Sequence, residues 1–198
     1  MAIEFSLDEI NGMTNFDQIL GGGGTSTVYR GRIHTPNAHN LNEQEVAVKV
    51  ISDENTGNRR AMWQAEVTWL PLLIHPNIVT LVGYCEDPAS NTFYIVYEYV
   101  SEHSLEDRRR GLNWEGVLRV LRGVANGLLH IHSYRPQILM YGDLKPENIV
   151  LQEDGEPKII DFGTITEENL EQLNYTMHYA DPSLIGGGIE IQAYICRI

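Results

Sequence analysis

Positive charge is scarce in this chain. Fourteen lysines and arginines stand against 27 aspartates and glutamates in 198 residues, a formal net charge of −13. That balance excludes a nucleic-acid-binding surface, because phosphate backbones are held mainly by clustered Lys and Arg. The run Arg108-Arg109-Arg110 is too short to reverse it and reads as a solvated helix face or loop. Cysteine is nearly absent: Cys85 and Cys196 make no disulfide framework and match no zinc spacing, which points to a reducing compartment. His130 and His132, two apart on a helix, face different ways and make no metal pair. Long apolar runs are missing as well. The most hydrophobic region, Trp69 to Tyr84, is broken by Pro71, His75, Pro76 and Asn77, too soon for a bilayer span of about 20 residues. The start, Met1-Ala2-Ile3-Glu4, has no basic n-region and no Gly at position 2, so neither secretion nor myristoylation is supported. The expectation is a soluble cytoplasmic protein without a transmembrane segment.

The length suits one domain, or two small ones, able to bury about 70% of the unfolded chain's surface. Asp8 to Leu20 reads as a turn-rich opening, followed by Gly21-Gly22-Gly23-Gly24 and a strand over Thr25 to Arg32. A polar loop leads to a second strand, Glu45 to Ile51, with a Lys inside an apolar run. Trp63, Val67 and Leu70 recur at helical spacing from Arg59 to Leu70, and Pro71 closes that helix. Ile78 to Tyr84 and Phe93 to Val100 read as further strands. Trp114 to Ser133 is a long helix with apolar residues at Val117, Leu121, Val124, Leu128 and Ile131. Ile149-Val150-Leu151 and Lys158-Ile159-Ile160, joined by a turn at Asp154-Gly155, form a hairpin. No internal repeat or low-complexity linker is visible.

Two strings carry the chemistry: Tyr141-Gly142-Asp143-Leu144-Lys145-Pro146-Glu147-Asn148 and, shortly after, Lys158-Ile159-Ile160-Asp161-Phe162-Gly163. Together they resemble the catalytic loop and metal-binding turn of a eukaryotic protein kinase. His75 to Cys85 (HPNIVTLVGYC), Ile95 to Val100 (IVYEYV) and Gly123 to His132 (GVANGLLHIH) resemble the receptor-like and receptor-like cytoplasmic kinases of plants. The likeness runs from about Phe5 to Ser183. It implies an α+β, bilobal protein-kinase-like fold, with a β-rich N-lobe over residues 1–100, a partial helical C-lobe over 101–183, and a Gly-rich tail unlike the family over 184–198. It also implies ATP and Mg2+ as cofactors and a protein substrate or signalling partner, in a receptor complex at the inner face of the plasma membrane.

The resemblance assigns roles residue by residue. Asp143 takes the proton of the substrate hydroxyl, Lys145 lies near the γ-phosphate, and Asn148 and Asp161 hold magnesium. Lys49 in Val-Ala-Val-Lys meets the α- and β-phosphates, with Glu66 holding it in place; a buried Lys without a partner would be costly. Gly21, Gly23, Ser26 and Val28 form the glycine loop, where glycine lets backbone N–H groups approach phosphate closely. Ala47, Tyr97, Glu98 and Val100 surround the adenine, Glu98 and Val100 through their backbones. Phe162, Gly163 and Thr176 belong to the activation segment, with Thr176 bridging Asp143 and Lys145.

Departures from the family are equally legible. Ser26 replaces a third glycine, which weakens nucleotide binding without abolishing it. Tyr141-Gly142 replaces His-Arg: the tyrosine can still pack beneath Phe162, whereas Gly142 excludes control by a phosphate bound through that Arg. His178 and Ser183 replace Gly and Glu, and the chain stops at Ile198, before further helices that the resemblance would place under the catalytic loop. Apolar surface should therefore be exposed, and activity should be low. The sequence leaves three readings open: an ATP-dependent serine/threonine kinase, a non-catalytic kinase-like scaffold or decoy, and a shortened product without a stable fold.

Overall fold

The computed structural model describes residues 2–23, 26–52 and 58–168. In chain order the elements are β1 (Ile3–Glu4), α1 (Leu7–Met13), β2 (Ile19–Gly23), β3 (Ser26–Ile33), β4 (Gln44–Ser52), α2 (Asn58–Trp69), β5 (Leu81–Asp87), β6 (Thr92–Glu98), α3 (Leu105–Arg108), α4 (Trp114–His132), β7 (Ile138–Met140), β8 (Ile149–Leu151), β9 (Pro157–Ile159) and β10 (Thr166–Glu168). Six strands form one sheet in the order β1-β5-β6-β4-β3-β2. The described part of the second lobe is α3, α4 and two small pairs, β8 with β9 and β10 with β7. This is the bilobal α+β arrangement expected from the sequence.

Side-chain alternation along the central strands makes two cores. Val46, Val48, Tyr94 and Val96 face an outer core closed by Phe5, Ile10 and Met13. Ile51, Phe93, Ile95 and Tyr97 face an inner core shared with Trp63 of α2 and with Val124, Ile159 and Phe162 of the second lobe. Lys49 lies in β4 between the inward-facing Ala47 and Ile51, so the pleat alone turns it inward.

Two readings of the sequence need correction. The opening over Asp8 to Leu20 is not a run of turns: it holds most of helix α1 and the start of β2. α1 is only seven residues long, with Ile10 and Met13 as its buried pair, and periodicity is weak over so short a stretch. Its signal is the capping box, in which Ser6 Oγ accepts from the Glu9 N–H while Glu9 accepts from the Ser6 N–H. On α4, Leu121 is 59% exposed and Val120 is buried in its place. The inward face of α4 is set by Gly123 and Gly127, where a Cβ would come within 2.4 Å of Pro157 Cγ and 2.9 Å of Ile159 Cδ1 respectively. α4 therefore lies directly on β9, and Trp114, Leu118, Leu121 and Leu129 form an exposed stripe on its other side.

Smaller shifts occur at strand ends. The strand expected from Ile78 begins at Leu81, since Ile78 instead bridges to Ile159 in the other lobe, and β6 ends at Glu98, before Val100. α2 runs into a 3-10 turn at Leu70–Leu72 that contains Pro71.

Gly83 sets a sharp test of this packing. A Cβ there would sit 2.3 Å from the Ile3 carbonyl oxygen and 2.4 Å from Phe5 Cε2. Gly83→Ala is expected to push β1 off the sheet edge and destabilise the fold by about 1–3 kcal/mol, as overpacking does. The urea midpoint of the variant against the parent reads this directly, and an unchanged midpoint would contradict the packing described.

Candidate functional site

Glu66 is the centre of the site. It is wholly buried, on the inward face of α2, and three donors converge on its carboxylate. Lys49 Nζ donates at 3.1 Å, Tyr97 Oη at 2.5 Å and the Phe162 backbone N–H at 2.9 Å. A buried carboxylate is tolerable only when satisfied in this way. Lys49 in turn bridges to Asp161 Oδ1 at 2.7 Å, so one ammonium joins the sheet, the helix and the turn after β9. Burial pulls the Lys49 pKa down, but Glu66 and Asp161 outweigh it and hold the ammonium above its ordinary value. Asp161 shows the complement: burial raises its carboxyl, and Lys49 more than compensates, leaving it below the usual range.

Asp161 has φ of 62°, in the left-handed region that a residue with a side chain seldom occupies. Such strain persists where surrounding contacts impose it. Here Lys49 fixes its carboxylate, and the next residue is held by Glu66. Phe162 is fully buried and packs edge-on against Tyr141, ring centres 5.3 Å apart. Tyr141 Oη donates to the Ile160 carbonyl at 2.6 Å. Tyr141 thus packs against Phe162 from the loop that leads to Asp143.

A second group forms along that loop. Lys145 Nζ donates to Asp143 Oδ2 at 2.5 Å, and Asn148 Nδ2 donates to the same oxygen and to the Asp143 carbonyl, both at 2.9 Å. The hydrogen bond to Asp143 raises the Lys145 pKa. Asn148 is buried at the end of a 3-10 turn, Pro146–Asn148, while the Asp143 and Lys145 side chains remain 35% and 45% exposed. The arrangement gives one rigid amide and two solvent-facing charges. A Cβ on Gly142 would stand 3.3 Å from the Thr164 carbonyl oxygen.

Ser26, Lys49, Glu66, Asp161 and Gly163 line a common cleft. Gly21 and Gly23 pair with Val28 and Ser26 across the β2–β3 hairpin, and Ala47 pairs with Tyr97 across β4 and β6. Glu98 closes β6 and Val100 lies just beyond it, where the lobes join. Thr176, with His178 and Ser183, falls outside the described residues. Tyr97, which the resemblance places beside the adenine, donates its hydroxyl to Glu66, a bond that nothing in the sequence announces. Met62 of α2 also lines the cleft; nothing in its spacing marks it out.

Asp161 and Asn148 offer hard oxygen donors, the chemistry magnesium prefers, and magnesium is usually held by one or two protein oxygens with substrate phosphates completing its shell. Among the described residues no cluster of three or more His, Cys, Asp or Glu could hold a metal by itself. The site fits a nucleotide-borne magnesium ion and does not fit a closed metal cage.

The shifted groups predict how stability responds to pH. The Asp161 pKa is lowered in the fold, so its contribution is present above its ordinary 3.8 and lost as pH falls through the lower folded value. Lys49 is raised, so its contribution is present below 10.5 and lost as pH rises through the higher folded value. The urea midpoint should therefore fall at both extremes, and Asp161→Asn should flatten the acid limb. An acid limb of unchanged steepness in that variant would show that other carboxylates control it.

Comparison with known proteins agrees with this geometry. A family model described as "Protein kinase domain" matches residues 14–194. The chain is 41% identical over 159 residues, 75% of its length, to "Probable serine/threonine-protein kinase PBL23" of Arabidopsis thaliana, covering 38% of that protein. It is 33% identical over 200 residues, 93% of its length, to "Cysteine-rich receptor-like protein kinase 45" of the same plant, covering 54%. The chain thus spans between two fifths and about half the length of these curated relatives. With the Lys49–Glu66–Asp161 group and the Asp143–Asn148 loop in place, it belongs to the protein kinase domain family, among the serine/threonine kinases close to the receptor-like and receptor-like cytoplasmic kinases of plants.

Proposed function

We propose that this chain transfers the γ-phosphoryl group of Mg-ATP to a serine or threonine hydroxyl of a protein. The observation that carries the reading is Lys49, whose ammonium is shared between buried Glu66 and Asp161 and so lies between the sheet and the metal-binding turn. Two parts of the cleft are thereby held in register, and positioning supplies much of the barrier reduction in phosphoryl transfer. Asp143, with its Oδ2 fixed by Lys145 and Asn148, accepts the proton of the substrate hydroxyl as the hydroxyl oxygen bonds to the γ-phosphorus and the bond from that phosphorus to the ADP oxygen breaks. Lys145 donates to the phosphoryl oxygens from the same loop. Asn148 and Asp161 would hold the magnesium ion, which neutralises charge on the phosphates. The relatives named as receptor-like kinases support a signalling role beside a membrane receptor, with a protein of that complex as substrate. No helix among the described residues is long and apolar enough to cross a membrane.

The test pairs phosphate transfer with metal-linked stability. The protein should transfer labelled γ-phosphate to a generic protein acceptor at serine or threonine. Mg-ATP should raise its melting temperature above ATP alone by mass action. Asp161→Ala should erase the magnesium-dependent part of that gain. Survival of the full gain in the variant would remove Asp161 from the metal site, and absence of transfer by the parent would favour a non-catalytic scaffold.

A further inference from the structure

Lys158 is a buried cation that the proposed chemistry does not use. It sits in β9, three residues before Asp161, and is 8% exposed. Its Nζ donates to Glu98 Oε1 at 2.9 Å and lies 3.4 Å from the Ile78 carbonyl. The same Glu98 oxygen accepts the Thr80 N–H at 2.8 Å, and the Glu98 N–H donates to the Thr80 carbonyl at 3.0 Å. Glu98 is thus clamped at the end of β6 by one residue of each lobe. Around this pair the lobes are sewn by backbone: Val79 N–H to the Ile159 carbonyl at 3.0 Å and Ile159 N–H to the Asn77 carbonyl at 2.9 Å.

We propose that Lys158 is a positioning residue of the nucleotide site: its ion pair with Glu98 fixes the distance between the strand end that receives the base and the turn that carries Asp161. A lysine in this place costs desolvation that an apolar residue would avoid, and the backbone bonds already join the lobes. What the ammonium adds is a directional tie to one carboxylate at the junction. Only Ile159 and Ile160 then separate that tie from Asp161. Lys158 is not among the residues that line the cleft with Lys49 and Asp161, so its effect falls on how well both ends of a nucleotide can be bound at once.

This inference rests on the Mg-ATP reading, and its test separates the two. Calorimetric titrations of adenosine, magnesium tripolyphosphate and Mg-ATP are compared across the parent, Lys158→Met, Lys158→Arg and Glu98→Gln. Adenosine and tripolyphosphate affinities should stay within about twofold in the two Lys158 variants. Mg-ATP affinity should fall about tenfold in Lys158→Met and in Glu98→Gln, and Lys158→Arg should recover most of it. Glu98→Gln keeps the side-chain shape, so the result does not depend on Lys158→Met folding well. Equal losses for adenosine and Mg-ATP would mean a general loss of structure and overturn the proposal, as would an unchanged Mg-ATP affinity in both variants. A parent that binds no Mg-ATP would overturn the kinase reading and this inference with it, whereas normal binding by parent and variants alike would overturn only the inference.

Discussion

Asp143→Asn is expected to slow phosphoryl transfer by about 10²–10⁴-fold, the range a positioned general base supplies, while Mg-ATP affinity changes by less than about twofold. Asparagine retains an oxygen where Asp143 Oδ2 now receives Lys145 and Asn148, both within 2.9 Å, so the loop should keep its shape. What disappears is a group able to take the hydroxyl proton. Single-turnover transfer to a protein acceptor measures the loss, and calorimetry checks that nucleotide binding survives. Transfer at the parent's rate would remove Asp143 from the chemistry altogether.

Lys49→Met should have the largest effect on the molecule itself. Removing the ammonium leaves the fully buried Glu66 with Tyr97 and Phe162 as donors and no neutralising cation. Breaking one side of a buried ion pair costs about 3–5 kcal/mol. For a chain of this size that lowers the melting temperature by something on the order of 10 °C. Mg-ATP affinity should fall at least tenfold, since each charge-assisted hydrogen bond to phosphate is worth about 1.5–3 kcal/mol. The double variant Lys49→Met/Glu66→Gln separates the two losses. It should regain most of the stability, because the unpaired charge is gone, and none of the nucleotide affinity. Recovery of both would show that Lys49 acts on ATP only through the fold.

The loop at Asp143 and the turn after β9 are legible because their residues are neighbours in sequence. Asp143, Lys145 and Asn148 meet within six positions, and local spacing survives without knowledge of the fold. Lys49 and Glu66, 17 residues apart, were legible only through family resemblance, since a lysine in an apolar strand does not name its partner. The bond from Tyr97 to Glu66 spans 31 residues and depends on how β6 and α2 pack; the sequence held no sign of it. Lys158 shows in the sequence only as part of a hairpin strand. α1 escaped a reading based on apolar periodicity although its capping box was present at Ser6 and Glu9. Leu121 failed for the opposite reason: α4 carries apolar residues on two faces, and only the close approach at Gly123 and Gly127 decides which one packs on β9.

The inward direction of Lys49 comes from parity alone. β4 is paired on both sides, with Lys49 opposite Val28 on β3 and Ile95 on β6. Adding or deleting one residue within 44–52 would turn the positions beyond it over, sending an ammonium into the outer core and a valine toward Glu66. The loop from His34 to Glu43 faces no such rule, because a change in its length leaves the strand's own count intact. Sequence drift in this protein should therefore be asymmetric. Insertions can accumulate in the loop before β4, whereas a single one inside the strand would silence the site while every residue named above remained in the gene.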